Sequence, residues 1–380
     1  MEVGGVAAHV GNVGIKNDQL DFLLAALPEH TTAAGVFTRS AFAGPSVTLS
    51  REVVDTGSAR GLVVVSKNAN VANGPDGDAD AAELRARAAE VVGCAPGEVV
   101  VASTGVIGQR YPTARLWSYL DALRWPDASG ATLTDAARAI MTTDTVAKVA
   151  EATAGDAHVV GIAKGVGMIE PDMATLLVFA FTDAKVTAAD LDAMWRRVTD
   201  VTFNAMSIDT DTSTSDTAVV FATGAAGPVP PADLETTLHD VCLRLVRMIT
   251  ADGEGASKSI VVDVTGAAAL DQARRVAKSI VNSPLVKTAV HGADPNWGRL
   301  AMAVGKVDDP TIDAGRVRLG IGDVELYPTR SESALDAAAA HLRGDDVRLW
   351  ADLGLGDESF SAYGCDLTEG YIRINADYTT

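Results

Sequence analysis

Short apolar runs rich in β-branched residues alternate along the chain with segments whose apolar residues recur every three or four positions. Leu62 to Ser66, Val99 to Ser103, Val159 to Ala163, Leu176 to Thr182, Ala218 to Ala222 and Ile260 to Val264 follow the first pattern and predict strands. Several of them are apolar on both faces, and such a strand must be covered on each side. Helical spacing over Asp78 to Val92, Thr134 to Met141, Ala188 to Val201, Pro231 to Thr250 and Gln272 to Val281 supplies that cover. Thr or Asp near the starts of the second, third and fourth of these fits N-capping. The combination predicts a layered α/β domain. Beyond about Val264 the pattern changes to a helix, then Lys287 to Lys306 with its Pro and Gly turns, then Val317 to Tyr327, a helix over Ser333 to Leu342, and strands near Val347 and Tyr371. This places a domain boundary between 265 and 285, with domains over 1–270 and 271–380. Gly227-Pro228-Val229-Pro230-Pro231 has a linker's composition, but a helical pattern follows at once, so it reads as a loop before a helix N-terminus.

At 380 residues the chain is long enough for two domains, each with its own core. A net charge of -19 makes the surface repel phosphate backbones and anionic lipid, so no nucleic-acid or membrane partner is expected. Cys94, Cys242 and Cys365 are widely spaced, with no CxxC, which points neither to a disulfide framework nor to a zinc site and fits a reducing cytoplasm. The first residues lack the charged and apolar regions of a signal peptide, and no run approaches the roughly 18 apolar residues of a membrane span. The glycine-rich stretches near Gly4 and Gly354 match neither GxGxxG nor a P-loop, so no nucleotide cofactor is implied.

The richest chemistry lies in Lys164-Gly165-Val166-Gly167-Met168-Ile169-Glu170-Pro171-Asp172-Met173-Ala174-Thr175, which sets a Thr directly before an apolar run. A Thr hydroxyl can attack the carbonyl of its preceding peptide, here that of Ala174, and hydrolysis of the resulting ester frees a new N-terminal Thr175. That residue carries both nucleophile and base, because an α-amino group with a pKa of about 7.7 to 8.0 is partly unprotonated at neutral pH. Acyl transfer through Thr175 needs donors for a tetrahedral oxyanion. Thr104-Gly105, at the end of a predicted buried strand, offers a hydroxyl and a closely approachable backbone N–H; read without further context it is a strand-ending turn. Lys164 also ends a predicted buried strand, where an unpaired ammonium is costly, so either a protein carboxylate or a substrate carboxylate must meet it. Glu254, between Gly253 and Gly255, is either a surface turn or a carboxylate presented to a substrate amine.

The segment from Lys164 to Thr175 is similar to the autocleavage segment of the ornithine acetyltransferase family, the ArgJ-like N-terminal-nucleophile enzymes. Val101 to Gly108, Met141 to Thr145, Asp209 to Thr217, Asp252 to Ala256, His291 to Arg299 and Asn375 to Thr380 resemble further family blocks in the family's order. The resemblance implies an α-β-β-α sandwich that contains the Ala174-Thr175 cleavage site, followed by a smaller α/β domain contributing substrate contacts. It implies Thr175 as nucleophile, Thr104 and Gly105 as oxyanion donors, and Thr142, Lys164, Thr175, Glu254, Asn375 and Thr380 as substrate contacts. The implied activity is ping-pong transfer of acetyl from N-acetylornithine, or a related N-acetyl amino acid, to glutamate through acetyl-Thr175, with no cofactor or metal. Some members also accept acetyl-CoA. Cleaved α and β chains are implied to assemble as dimers or tetramers of protomers, including heterotetramers.

Asp172, Thr210 and Ser215 stand where arginine-pathway members often carry an uncharged residue, Gly and Asn, so the chain resembles more closely the branch found in secondary-metabolite clusters such as that for clavulanic acid. This leaves the acetyl donor open. An amidase or aminopeptidase of the same N-terminal-nucleophile group would share Thr175 and its oxyanion donors, and an inactive binding protein is a third alternative. His291, beside Gly292 and Pro295, reads as a turn-stabilising side chain rather than a triad member. Asp209, Asp211 and Asp216 lack an EF-hand's Gly and distal Glu in register and read as a hydrogen-bonded loop.

Overall fold

The computed structural model describes residues 2–126, 128–170 and 176–377. It divides into two compact units, one over Met1–Asn204 and Asp211–Leu245, the other over Ala205–Thr210 and Val246–Tyr378.

In the first unit the elements run β1 (Ala7–Gly11), β2 (Phe22–Ala26), β3 (Thr32–Phe37), α1 (Pro45–Val54), β4 (Gly61–Asn68), α2 (Gly74–Val92), β5 (Val99–Val106), α3 (Thr113–Ala122) and α4 (Leu133–Ala139). They continue with β6 (Lys148–Ala154), β7 (Ala157–Lys164), β8 (Leu177–Lys185), α5 (Ala188–Val201), β9 (Thr217–Pro228) and α6 (Pro231–Ala251), which runs on past the unit's last residue. One sheet has the order β1-β2-β4-β5 and the other β3-β9-β8-β7-β6. The β4/β5 and β8/β9 pairs are parallel and the rest antiparallel.

Alternation along the strands builds the layers. Leu62 and Val64 of β4 join Val100 and Ala102 of β5 in one core with Phe179, Phe181, Val219 and Phe221 of the facing sheet. Phe181 and Phe221 stack at 5.4 Å. The intervening Val63, Val65, Val99 and Val101 point the other way, onto Leu84 of α2 and Leu116 of α3. Beyond the second sheet, the indole of Trp195 on α5 donates to the Ala218 carbonyl at 2.9 Å, while Val241 and Leu245 of α6 lie against Gly161 of β7. The first unit is therefore the α-β-β-α sandwich expected, and the double-sided apolarity of its strands is the burial of each sheet on both faces. The open edge of β5 is satisfied by Ser50 of α1, whose Oγ bonds both the carbonyl (2.6 Å) and the N–H (2.7 Å) of Val101.

The second unit holds β10 (Ser259–Ala267), α7 (Leu270–Val281), α8 (Pro284–His291), α9 (Trp297–Gly305), β11 (Arg318–Ile321), β12 (Val324–Tyr327), α10 (Glu332–Leu342), β13 (Asp346–Asp352), β14 (Glu358–Cys365) and α11 (Glu369–Asp377). Its sheet has the order β12-β11-β13-β10-β14. Two features depart from the sequence reading. The strand expected over Ile260 to Val264 is the core of β10, which pairs with β13 and β14, so the chain changes units at Leu245/Val246 rather than near 270. The strand expected near Tyr371 is instead α11. Thr368 Oγ1 accepts the Gly370 N–H at 2.9 Å, capping the first turn, and Glu369 follows where the helix dipole favours an acid. Among the described residues no helix is long and apolar enough to cross a membrane.

A Cβ on Gly161 would come within 2.8 Å of both Leu245 Cδ1 and Val241 Cγ1. Gly161→Val should therefore overpack the α6 interface and cost about 1–3 kcal/mol, read as a lower urea midpoint at unchanged slope.

Candidate active site

The sequence Ser103-Thr104-Gly105-Val106 ends β5, and Ser66-Lys67-Asn68 ends its parallel neighbour β4. The register slips between Lys67 and Asn68, so the backbone there bulges beside Gly105. Gly105 has φ 129, and a Cβ on it would lie 2.2 Å from the Lys67 carbonyl carbon and 2.5 Å from Asn68 N. No side chain fits at that position. Lys67 itself sits at φ 70, and its ammonium donates to the Leu20 carbonyl, to Ser66 Oγ (3.2 Å) and to the Met141 carbonyl (3.1 Å). These contacts use all three of its hydrogens. Burial draws its pKa below the usual lysine range.

From the other sheet, β7 ends at Lys164, which is 3% exposed. Its Nζ donates to Thr104 Oγ1 at 3.3 Å, so two strand ends from different sheets meet through their side chains. Asp144, in the turn after α4, organises the surroundings. Its Oδ1 accepts from Lys148 Nζ at 2.7 Å and from the Gly165 N–H at 2.8 Å, and its Oδ2 accepts from the Thr142 N–H at 3.0 Å. The Asp144 and Lys148 side chains are both fully buried. Burial alone would raise the Asp144 pKa, but the charges of Lys164 and Lys148 and the Thr142 N–H outweigh it and hold the carboxyl below its usual range. Lys164 thus lies in the field of a protein carboxylate, and Thr142 is fixed by the same carboxylate.

A second acid behaves in the opposite way. Asp216, fully buried immediately before β9, accepts the Leu176 N–H on Oδ1 at 2.7 Å. Burial pushes its pKa well above the usual carboxylate range, and the Leu176 N–H and the Lys164 charge only partly offset that. Two carboxyls in the field of one ammonium are thus driven apart in acidity, one held below and one above the usual carboxylate range. Ala174 and Thr175 lie outside the described residues, as does Thr380; the described chain resumes at Leu176.

In the second unit the Gly253-Glu254-Gly255 loop is packed rather than free. Gly255 has φ 67, and a Cβ on it would lie 2.3 Å from Tyr371 N. The Asn375 amide on α11 donates to Glu254 Oε2 at 3.0 Å, so these two expected substrate contacts hold each other. His291 is the last residue of α8. Its Nδ1 and the Ser257 hydroxyl both reach the same oxygen, Asp366 Oδ2, at 3.1 and 2.5 Å. In a hydrolytic triad the Asp and the Ser would bond opposite ring nitrogens, so this is a structural cluster. Of the acidic loop residues, Asp209 receives the Tyr371 hydroxyl (3.4 Å) and Asp216 the Leu176 N–H.

A model of the ArgJ family matches residues 7–380. The chain belongs to the ArgJ family. A glutamate N-acetyltransferase, Oat2, from Streptomyces clavuligerus is 54% identical, over 99% of this chain and 98% of its own. The arginine biosynthesis bifunctional protein ArgJ of Rhodococcoides fascians is 50% identical, over 98% of this chain and 92% of its own. Among solved structures, the arginine biosynthesis bifunctional protein argJ of Bacillus halodurans is 38% identical with a TM-score of 0.50, covering 53% of this chain and 98% of that one.

Within this ArgJ-family chain, the structure joins Thr104, Gly105, Thr142 and Lys164 through Asp144 and the β4 bulge, and pairs Glu254 with Asn375. Sequence reasoning missed Asp144 and Lys67 as organisers, although Asp144 lies inside the Met141 to Thr145 block. A buried Lys at i+4 from it, Lys148, was the available signal.

Two substitutions probe this arrangement. Gly105→Ala must part the β4 and β5 backbones at a left-handed position and should cost about 1–3 kcal/mol or more in unfolding free energy. Asp144→Asn should cost about 3–5 kcal/mol at pH 7 by taking the carboxylate away from the buried Lys148 ammonium. The Asp144 pKa is lower folded than unfolded, so its contribution is complete above about pH 4 and lost as pH falls through the folded value. Chemical denaturation across pH should therefore show wild type and Asp144→Asn converging in acid.

Proposed function

We propose that the chain is a glutamate N-acetyltransferase that cleaves itself between Ala174 and Thr175 and then carries acetyl on Thr175. The Thr175 hydroxyl, deprotonated by its own α-amine, attacks the acetyl carbonyl of N-acetylornithine or a related N-acetyl amino acid. A C–O bond forms, the C–N bond breaks, and the free amino acid leaves with the proton. Glutamate then attacks the acetyl-Thr ester with its amine and departs as N-acetylglutamate, regenerating the hydroxyl. Thr104 Oγ1 and the Gly105 N–H serve the oxyanion, where loss of one donor typically costs about 10² to 10³ in rate. Thr142, Lys164, Glu254, Asn375 and Thr380 are assigned to substrate.

The observation that carries this reading is the Lys164–Thr104 contact beside the glycine-only position at Gly105, in a chain whose full-length Streptomyces clavuligerus relative is named a glutamate N-acetyltransferase. The glutamate N-acetyltransferase name of that whole-length relative weighs against the amidase alternative. The donor identity stays within N-acetyl amino acids, and residence in the cytoplasm and assembly of cleaved chains into dimers or tetramers complete the proposal.

Intact-mass measurement of the untagged protein should give pieces covering 1–174 and 175–380, and Thr175→Ala should give one unbroken chain. Wild type should convert N-acetylornithine and glutamate to ornithine and N-acetylglutamate. Release of free acetate without glutamate would identify an amidase instead.

A further inference from the structure

The edge strand β3 borders a cavity remote in sequence from the residues assigned to acetyl transfer. Thr38 donates its N–H at 3.1 Å to the carbonyl of Asp216, which directly precedes β9, whereas the Ala33 N–H turns away from β9 to the Gly57 carbonyl at 3.0 Å. Main-chain groups alternate in direction along a strand, so those of Gly35 and Phe37 also point off the sheet edge. They border a cavity of about 460 Å³ between β3, α1 and α5, and all its lining residues belong to the first unit. Its charged and polar wall comes from three places: Arg39 just past β3, Arg51 and Asp55 at the end of α1, and Arg196, Asp200 and Asn204 on and after α5. In a chain of 50 acidic and 31 basic side chains, three guanidinium groups on one cavity run against the composition. Arg51 lies over the Phe37 ring at 5.8 Å and gives one N–H to the Thr38 carbonyl, and Arg196 gives one to Asp192 at 2.8 Å. A guanidinium has five such donors, so both keep a fork for an anion. The Asp55 charge acts on Arg196, and Asn204 Oδ1 is buried with no hydrogen-bond partner among the described residues. A buried acceptor in that state calls for a donor.

We propose that this cavity binds an acidic α-amino acid. The two ligand carboxylates meet the Arg51 and Arg196 guanidinium groups, and the ligand ammonium donates to Asn204 Oδ1 and faces the Asp55 carboxylate. Three guanidinium groups against two carboxylates leave the wall with one positive charge in excess. An acidic α-amino acid, with two carboxylates and one ammonium at neutral pH, carries the matching negative charge. A dicarboxylate lacking the amine would leave the buried Asn204 oxygen without a donor, and a neutral amino acid would leave one guanidinium unmatched. The off-edge N–H groups of Gly35 and Phe37 are further donors along the same wall. The volume falls within the roughly 300–1,000 Å³ of ordinary small-molecule sites. None of the lining residues is among those assigned to acetyl transfer, and binding here requires no cleavage of the chain.

The test is backbone hydrogen exchange of the full-length protein, read by mass spectrometry of its peptides, across a titration with L-glutamate and a second with L-aspartate. Exchange is expected to slow over residues 33–38 and 196–204 with at least one of the two. Arg196→Gln and Asp55→Asn, both at exposed positions, should each move the midpoint of that protection to about tenfold higher ligand concentration, with melting temperatures near that of wild type. Should one variant fail to fold, the other decides. Glutarate, which has both carboxylates and no amine, should need a similarly higher concentration. No protection over 33–38 with either amino acid overturns the assignment, as does protection confined to peptides containing Lys164 or Glu254, or protection unchanged by the substitutions. Glutarate acting as well as L-glutamate overturns the amino-acid class. Thr175→Ala should keep the protection, so a failure of the transfer reading and a failure of this one are told apart.

Discussion

One buried carboxylate, Asp144, holds the architecture of the first unit's site together. It neutralises Lys148, receives the N–H groups of Thr142 and Gly165, and lies in the field of Lys164. Those partners come from the turn after α4, from β6 and from the end of β7, so three segments depend on one side chain. Burying ammonium groups is affordable only when an anion meets them with good geometry. In a chain of net charge -19 the unusual feature is not acidity but three lysines drawn inward around Thr104 and Gly105. Each is anchored by a different means: Lys148 by Asp144, Lys67 by backbone carbonyls and Ser66, and Lys164 in part by Thr104.

The two carboxyls near this cluster show how environment sorts identical side chains. Asp144 has two cations and several N–H groups around it and stays ionised. Asp216 has one backbone N–H, the Thr38 side chain and the field of Lys164 against complete burial, and its acidity is weakened. The contrast follows from partner count against burial, since both are removed from water.

Much of the fold was legible in the chain because its central strands are apolar on both faces and its long helices carry regular stripes. The Ala188 to Val201 helix matched residue for residue, capped by Thr187, whose Oγ1 accepts the Asp190 N–H. Less legible were β1 to β3, whose Ala-His-Val-Gly and Thr-Ala-Ala-Gly runs lack the β-branched density that marks a strand. Tyr371 to Ile374 has that density and is nonetheless helical, because Thr368 caps the turn before it. At the site, Thr104 and Lys164 were visible as polar residues ending apolar strands. The role of Asp216 was not, because its acidity depends on a neighbour brought in from tens of positions away, Leu176.

The order β3-β9-β8-β7-β6 places strands from after residue 176 between strands from before residue 165. A break in the backbone between β7 and β8 would leave β8 and β9 as the middle of a sheet whose flanks belong to a separate polypeptide. The ladders Ala33 to Phe221 on one side and Ile162 to Phe179 on the other would then be the bonds between two molecules. Such a pair cannot part without stripping hydrogen bonds from both edges of the inner strands. Once denatured, it would have to find itself again by collision, so a fold that forms as a first-order event would re-form at a rate set by concentration.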